Sequence, residues 1–233
     1  MANPVQVKPN YFVVSRGMNF PQHADFIQGR TRARLRRGVY EANEAEAALR
    51  TVRPGDVVLE LGAGLGFIST LMVLKRRVAA VHSYEPNPHL IPYVQTVHAA
   101  NGISNTTLRN GIPGPTKGTR TFYLRPDLVQ SSFRLEPDET VLPKTEIPVH
   151  AADTVIEDTQ PTVLYANLKG EEAAVLPHLP LSGLRAAILA FTPGRMAPAD
   201  MNTVFTALIQ AGLAYHPRGS AGRVICWRKE GTE

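Results

Sequence analysis

The sequence predicts an α/β domain built on a mostly parallel sheet with helices on both faces. Three observations carry that prediction. Val57 to Leu61 is a mostly apolar strand that runs into Gly62, Gly64 and Gly66, so a buried strand meets a tight glycine turn. Phe67 to Arg76 follows at once, with Ile68, Leu71 and Met72 on one side of a helix. Apolar runs of strand length then alternate with helical runs almost to the end of the chain, the order in which crossover helices join parallel strands.

The elements follow in order. Residues 1–28 are rich in Pro, Asn and aromatics and lack a clear period. With Arg30, Arg32, Arg34, Arg36 and Arg37 they form an arm over residues 1–40, packed on a domain over residues 41–233. The aromatics Tyr11, Phe12, Phe20 and Phe26 give the arm something to pack with, and it is expected to cover the substrate mouth. Glu44 to Val52 is helical by its Ala, Glu and Leu content, and Pro54-Gly55-Asp56 is a turn feeding the central strand. Val78 to Tyr84 is the second strand and ends at Glu85-Pro86-Asn87-Pro88. A helix from Pro88 to Ala100 turns Leu90, Ile91, Val94 and Val97 to the core and stops at Asn101-Gly102.

Thr106 to Arg109 is a short third strand, closed by Asn110-Gly111. Thr119 to Arg125 and Glu146 to His150 are further strands, with Ser131-Ser132-Phe133 in the loop between them. Val163 to Leu168 is a core strand leading into Lys169-Gly170-Glu171-Glu172, where a helix starts and runs to Leu179. Leu184 to Phe191 is the next strand, and Ala199 to Ala211 a helix ended by Gly212. Tyr215 to Arg218 and Arg223 to Lys229 read as a terminal antiparallel pair.

Composition bounds the function. The chain has 233 residues, of which 43% are hydrophobic and 19% charged; that is enough for a sizeable core and typical of a globular domain. No run approaches the roughly 18 apolar residues of a membrane span, and the first residues lack an apolar signal region, so a cytoplasmic protein is expected. Cys226 is the one cysteine, which excludes an internal disulfide and a cysteine metal cluster. The net charge of +5 draws heavily on the arginine run. Such a run suits nucleic acid, an anionic substrate or plain solvation. No aromatics interleave with it, as a single-strand stacking platform would require, so nucleic acid is the disfavoured partner.

The glycine turn is a nucleotide cradle: glycine admits a ligand close to the backbone, and a helix start offers free N–H groups. The third glycine comes one position earlier than in a dinucleotide fingerprint, and Phe67 stands where Gly or Ala is wanted. Glu60, two positions before the first glycine, makes an acidic residue followed by G-x-G-x-G. That pattern resembles motif I of S-adenosylmethionine-dependent methyltransferases. Glu85 lies about 20 residues beyond the turn, where an acid in such folds reaches ribose hydroxyls.

From Gly38-Val39-Tyr40-Glu41 to about Leu176 the chain resembles the FkbM family of S-adenosylmethionine-dependent methyltransferases. The matching stretches are residues 54–66, Tyr84-Glu85-Pro86-Asn87-Pro88, Ser131-Ser132, Asp153-Thr154-Val155-Ile156 and residues 164–176. The resemblance implies the class I methyltransferase (Rossmann-like) fold with a seven-stranded sheet. It implies methyl transfer to a hydroxyl of a sugar or another small molecule, a small-molecule or glycan acceptor. The implied cofactor set is Glu41, Glu60, Gly62, Ala63, Gly64, Gly66, Phe67, Glu85, Pro86, Asn87, Asn110, Gly111 and Asn167.

There is one departure. The family's late motif usually has Asp then Glu, as in Ile-Asp-Val-Glu-Gly; here Asn167 and Lys169 stand at those places, with Gly170 and Glu172 kept. Hard cations are held by carboxylates, so no metal is expected. Candidates for proton transfer are His150, Asp153, Asn167 and Glu172, with His82 behind them. Two rival readings stand beside the first: a nucleic-acid methyltransferase, from the arginines, and a non-catalytic S-adenosylmethionine-binding protein, from the altered late motif.

Overall fold

The computed structural model describes residues 11–135, 139, 143–192 and 194–231. The arm's first ten residues lie outside them. From Phe12 onward the arm has a regular form that its aperiodic sequence does not announce. Strands β1 (Phe12–Ser15) and β2 (Met18–Pro21) make a hairpin. Its two turn residues, Arg16 and Gly17, both take positive φ, of 50° and 75°, as the tightest hairpin turn demands. The hairpin buries Val13, Met18 and Phe20. Phe20 stacks on Phe67 at 5.5 Å between centroids, and Tyr93 Oη donates to the Pro21 carbonyl at 2.9 Å. Helix α1 (Gly29–Arg36) follows and buries only Leu35.

The remaining elements alternate. They are α2 (Ala42–Thr51), β3 (Val57–Leu61), α3 (Phe67–Leu71), β4 (Ala80–Glu85), α4 (Leu90–Ala100), β5 (Thr106–Asn110), β6 (Ile112–Gly114), β7 (Gly118–Tyr123) and β8 (Lys144–Ala151). After them come α5 (Ala152–Thr159), β9 (Val163–Ala166), α6 (Glu172–Val175), β10 (Ala186–Ala190), α7 (Pro198–Gln210), β11 (Ala214–Tyr215) and β12 (Val224–Arg228). The main sheet has seven strands in the order β11-β12-β10-β9-β3-β4-β5. All pairs are parallel except those of β12, which runs against both neighbours.

The period of two along each strand sorts the core into two layers. Val58, Tyr165, Ile188 and Cys226 face α2, α3 and α4. Leu59, Leu61, Leu164, Leu189 and Trp227 face α5, α6 and α7. A second sheet, β6-β8-β7, follows β5 in the chain, packs into the layer of Leu59 and Leu61, and was not expected as a unit.

Three local differences stand out, and two have a plain physical reason. The helix over residues 67–76 is α-helical only to Leu71 and continues as a π-helical turn from Met72 to Arg76. The helix over residues 171–179 is α-helical only over α6, and a 3-10 turn follows at Leu176–His178, because Pro177 has no N–H to give the helix. Helix α5 carries two Thr, two Asp and two β-branched aliphatics, all weak helix formers. The burial of Ala152 and Val155 holds it instead.

Phe67 tests the packing. It is 1% exposed and contacts Phe20 and Tyr40, whose ring lies 5.3 Å away edge-on. Phe67→Ala is expected to lower unfolding free energy by about 3–5 kcal/mol, read by urea denaturation. An unchanged midpoint would remove the arm from the core.

Candidate functional site

The site lies where the strand order turns back, between β3 and β9. Open parallel sheets bind ligands at such a point, outside the carboxyl ends of the strands. The three glycines after β3 do different work there. Gly62 has φ 88°, and a Cβ on it would stand 2.3 Å from the Asn167 carbonyl oxygen. Only glycine lets the turn after β3 lie against the turn after β9. Gly64 has φ 55° and nothing within 4 Å of where its Cβ would be; it borders the cavity and leaves room for a ligand. Gly66 packs away from it, since a Cβ there would meet Val94 Cγ1 of α4 at 2.9 Å.

The cavity encloses about 530 Å³, part of it open to solvent. Gly62, Gly64 and Glu41 border it on one side, Glu85, Pro86 and Asn87 on another, and Asn167, Leu168 and Lys169 on a third. Glu85 is 4% exposed. Its Oε2 accepts from Gly64 N and its Oε1 from Asn87 N, each at 2.8 Å. The glycine turn and the end of β4 are thus joined through one carboxylate, which keeps further lone pairs. Burial raises its pKa against the pull of those N–H groups.

The far wall is the segment between β7 and β8, with Leu128, Val129, Ser131, Ser132 and Phe133. Arginines shape it. Arg125 is buried and donates to Gln130 O, Ser132 Oγ at 2.7 Å and Arg134 O at 2.9 Å. It also forks onto both oxygens of Glu139. Glu171, 2% exposed, accepts Arg120 at 2.7 Å and Arg134 at 2.8 Å. Arg120 in turn lies over the Phe133 ring at 4.3 Å. Asn87 ties the wall to the end of β4 by donating to Leu128 O at 2.8 Å.

Acids crowd the floor. Glu60 is fully buried and accepts from Ser83 Oγ at 2.5 Å. Burial drives its pKa up to about 7, with the Glu85 charge adding to the rise. Glu41 is pushed up to about 8 by burial and then by Glu44 and Glu60. Lys169 is half-buried at φ 57°. Burial lowers its pKa to about 8 although Glu85 supports its charge.

The structure brings together Glu41, Gly62, Gly64, Glu85, Pro86, Asn87 and Asn167 as cavity lining. It places the other expected site residues elsewhere. Glu60 points to the core side of β3, beneath the glycine turn, because alternation puts its neighbours Leu59 and Leu61 on the opposite face. Ala63 is buried within the turn and is not among the cavity lining. Gly66 and Phe67 pack on α4 and the arm. Asn110 spends its amide on the Glu85 and Pro86 carbonyls. Gly111 is crowded by Pro148 O and His150.

The expected proton-transfer groups scatter as well. His150 faces Asn110 O and the Tyr84 ring, in a different cavity. Asp153 is exposed in the first turn of α5. Glu172 braces its own turn by accepting Leu168 N and Gly170 N, both at 2.9 Å. His82 bonds Thr107 within the sheet. Among the described residues no group of three or more His, Cys, Asp or Glu side chains gathers as a metal site. Sequence reasoning missed the wall. Ser131-Ser132 was its one visible signal, since the arginine contacts that build it are remote in sequence.

No protein-family model matches the chain, and no curated protein matches it in sequence. Its fold is shared with determined structures. Trm5b from Pyrococcus abyssi superposes with a TM-score of 0.52 at 15% identity over 92% of this chain. The match covers 54% of Trm5b, so the chain spans about half that protein's length. TYW2 from M. jannaschii, determined in complex with AdoMet, superposes at 0.50 with 11% identity, over 91% of this chain and 80% of its own. The fold is the class I methyltransferase fold. No helix among the described residues is long and apolar enough to cross a membrane.

Two outcomes follow from the buried charges. A carboxyl whose folded pKa is raised contributes stability that is full below its unfolded pKa and lost as pH rises through the folded value. For Glu60 that window runs from about 4.5 to about 7. Glu60→Gln should remove a stability loss on the order of 3 kcal/mol across it, seen as a flatter pH dependence of urea unfolding than wild type. Glu171→Gln should loosen the wall and cost roughly 1–3 kcal/mol. Faster proteolytic cleavage within residues 125–135 checks this, and unaltered cleavage would argue against the Arg120–Glu171–Arg134 clamp.

Proposed function

We propose that the chain is an S-adenosylmethionine-dependent methyltransferase acting on a hydroxyl of a small molecule or glycan, in the manner of the FkbM family. The observation that carries the reading is the coupling of the glycine turn to Glu85 at the turning point of the sheet. The residues fit the cofactor. Gly64 leaves open the space a Cβ would fill, Glu85 presents a carboxylate suited to paired ribose hydroxyls, and Leu90, Leu128 and Phe133 offer apolar surface for a base. When bound, the cofactor supplies an activated methyl group on a sulfonium.

This chain's residues supply binding, orientation and exclusion of water. Gly62 and Gly64 would hold the amino-acid end by their backbone, Glu85 the ribose, and Asn167 would orient cofactor or acceptor by hydrogen bonding. A rival reading has its own observation: α1 and its end expose Arg30, Arg34, Arg36 and Arg37, as a nucleic-acid contact would need.

Calorimetry with S-adenosylhomocysteine and with NAD tests the cofactor. The first should bind and the second should not; the reverse result would sink the reading. Glu85→Ala should weaken S-adenosylhomocysteine binding by about 1.5–3 kcal/mol in a folded protein. Activity towards sugar hydroxyls should survive a chelator, and loss restored by Mg²⁺ would put a metal back into the reaction.

A further inference from the structure

A second cavity opens beside the first. The two share Glu41, Val129, Asn167 and Lys169 as a common wall. The other side of the second cavity is cationic, with Arg34 from α1, Arg195 from the segment after β10, and Arg223 just before β12. These residues come from segments far apart in sequence and converge only in the fold. Arg34 donates to Val39 O at 3.3 Å. Arg223 donates to Phe191 O at 3.2 Å and pairs with buried Glu44. Lys169 sits at the boundary, under the influence of Glu85 and Glu41 on one side and Arg195 on the other.

Four cationic side chains therefore line one space, and Glu41 is the acid that lines it with them. Burial and the neighbouring acids Glu44 and Glu60 hold Glu41 up to about 8, so it is mostly neutral near pH 7 and opposes an anion little. Glu44 lies behind Arg223, 3% exposed, and offsets part of that charge. Asp127 acts on Lys169 from the wall segment. The balance at the cavity surface stays positive. Arginine forks suit the planar or tetrahedral oxygens of carboxylate and phosphate.

We infer that this second cavity binds an anionic group, a phosphate or carboxylate, carried by the methyl acceptor, with Arg34, Lys169, Arg195 and Arg223 as its ligands. The inference rests on the proposed methyltransferase reading, and it narrows the acceptor to an anionic small molecule. A concave site built from scattered segments takes one anionic group. A nucleic-acid backbone instead asks for a row of cations on an open face.

The test is calorimetry on the full chain with inorganic phosphate and with acetate, at ionic strength matched by chloride, and separately with S-adenosylhomocysteine. Phosphate, acetate or both should bind. The double variant Arg34→Gln/Arg195→Gln should weaken the anion about tenfold or more, as loss of charged hydrogen bonds does. It should leave S-adenosylhomocysteine affinity within about threefold, the scale of a change remote from that ligand. Arg223 is left in place because Glu44 depends on it. If S-adenosylhomocysteine binds while neither anion does, or the double variant holds the anion as well as wild type, the inference is wrong and the methyltransferase reading stands. Arginine-dependent anion binding without S-adenosylhomocysteine binding would overturn the assignment to a methyl acceptor. An RNA oligonucleotide that binds more tightly than phosphate, and depends on Arg30, Arg36 and Arg37 rather than Arg195, would overturn it in favour of a nucleic-acid surface.

Discussion

The site depends on a contact that contains no side chain. The turn after β3 and the turn after β9 lie so close at Gly62 that any Cβ would strike the Asn167 carbonyl. Backbone hydrogen bonds hold the approach: Gly62 N donates to Tyr84 O at 2.8 Å, and Asn167 N to Leu61 O at 2.9 Å. Three strand ends are thereby fixed against one another, and those ends carry Glu85, Gly64, Asn167 and Lys169. The same constraint recurs one step along. A Cβ on Gly170 would lie 2.7 Å from Arg195 O, and Glu172 gathers Leu168 N and Gly170 N. So the turn that carries Lys169 is bounded by β3 on one side and by the Arg195 segment on the other.

Charge is the second organising term. Carboxylates buried without a paired cation are driven towards their neutral form, and the floor of this site holds Glu60 and Glu41. Glu60 and Glu41 have strongly raised pKa values. Glu44 and Glu171 are different, each being met by arginine. The arginines that meet them come from the segments bordering the cavities. One set of ion pairs thus neutralises buried acids and fixes the shape of the walls. Removing one partner of such a pair costs more than the pair contributes, because the other charge stays buried.

This division explains what could be read from the sequence. The parallel sheet was legible because buried strands and amphipathic helices leave local periodic marks, and a glycine turn after an apolar strand is a local event. Glu85 falls at the cavity because its distance from the turn is fixed by one crossover. Glu60 stands off the cavity lining because period two along β3 decides its face, and Leu59 and Leu61 claim the other side. His150 at the end of β8 and Asp153 at the start of α5 lie away from the cavity, because the pairing of β6 with β8 that sets their place is remote in sequence. The cavity wall was invisible because Arg125, Arg134 and Glu171 meet across loops, and loop chemistry has no period to read.

Residues 167 and 169 obey the same electrostatics. An Asp at 167 and a Glu at 169 would add two acids to a wall that already holds Glu41 and Glu85, above Glu60. Like charges in a low-dielectric site raise one another's pKa and cost stability. Asn167 keeps an oxygen and an amide for hydrogen bonding without adding charge. Lys169 supplies a cation that Glu85 favours. A Glu at 169 would also face Arg195 and stand where an incoming anion is to be held. Lysine there adds to the cations instead, so the choice of Lys169 and the cationic second cavity have one physical cause.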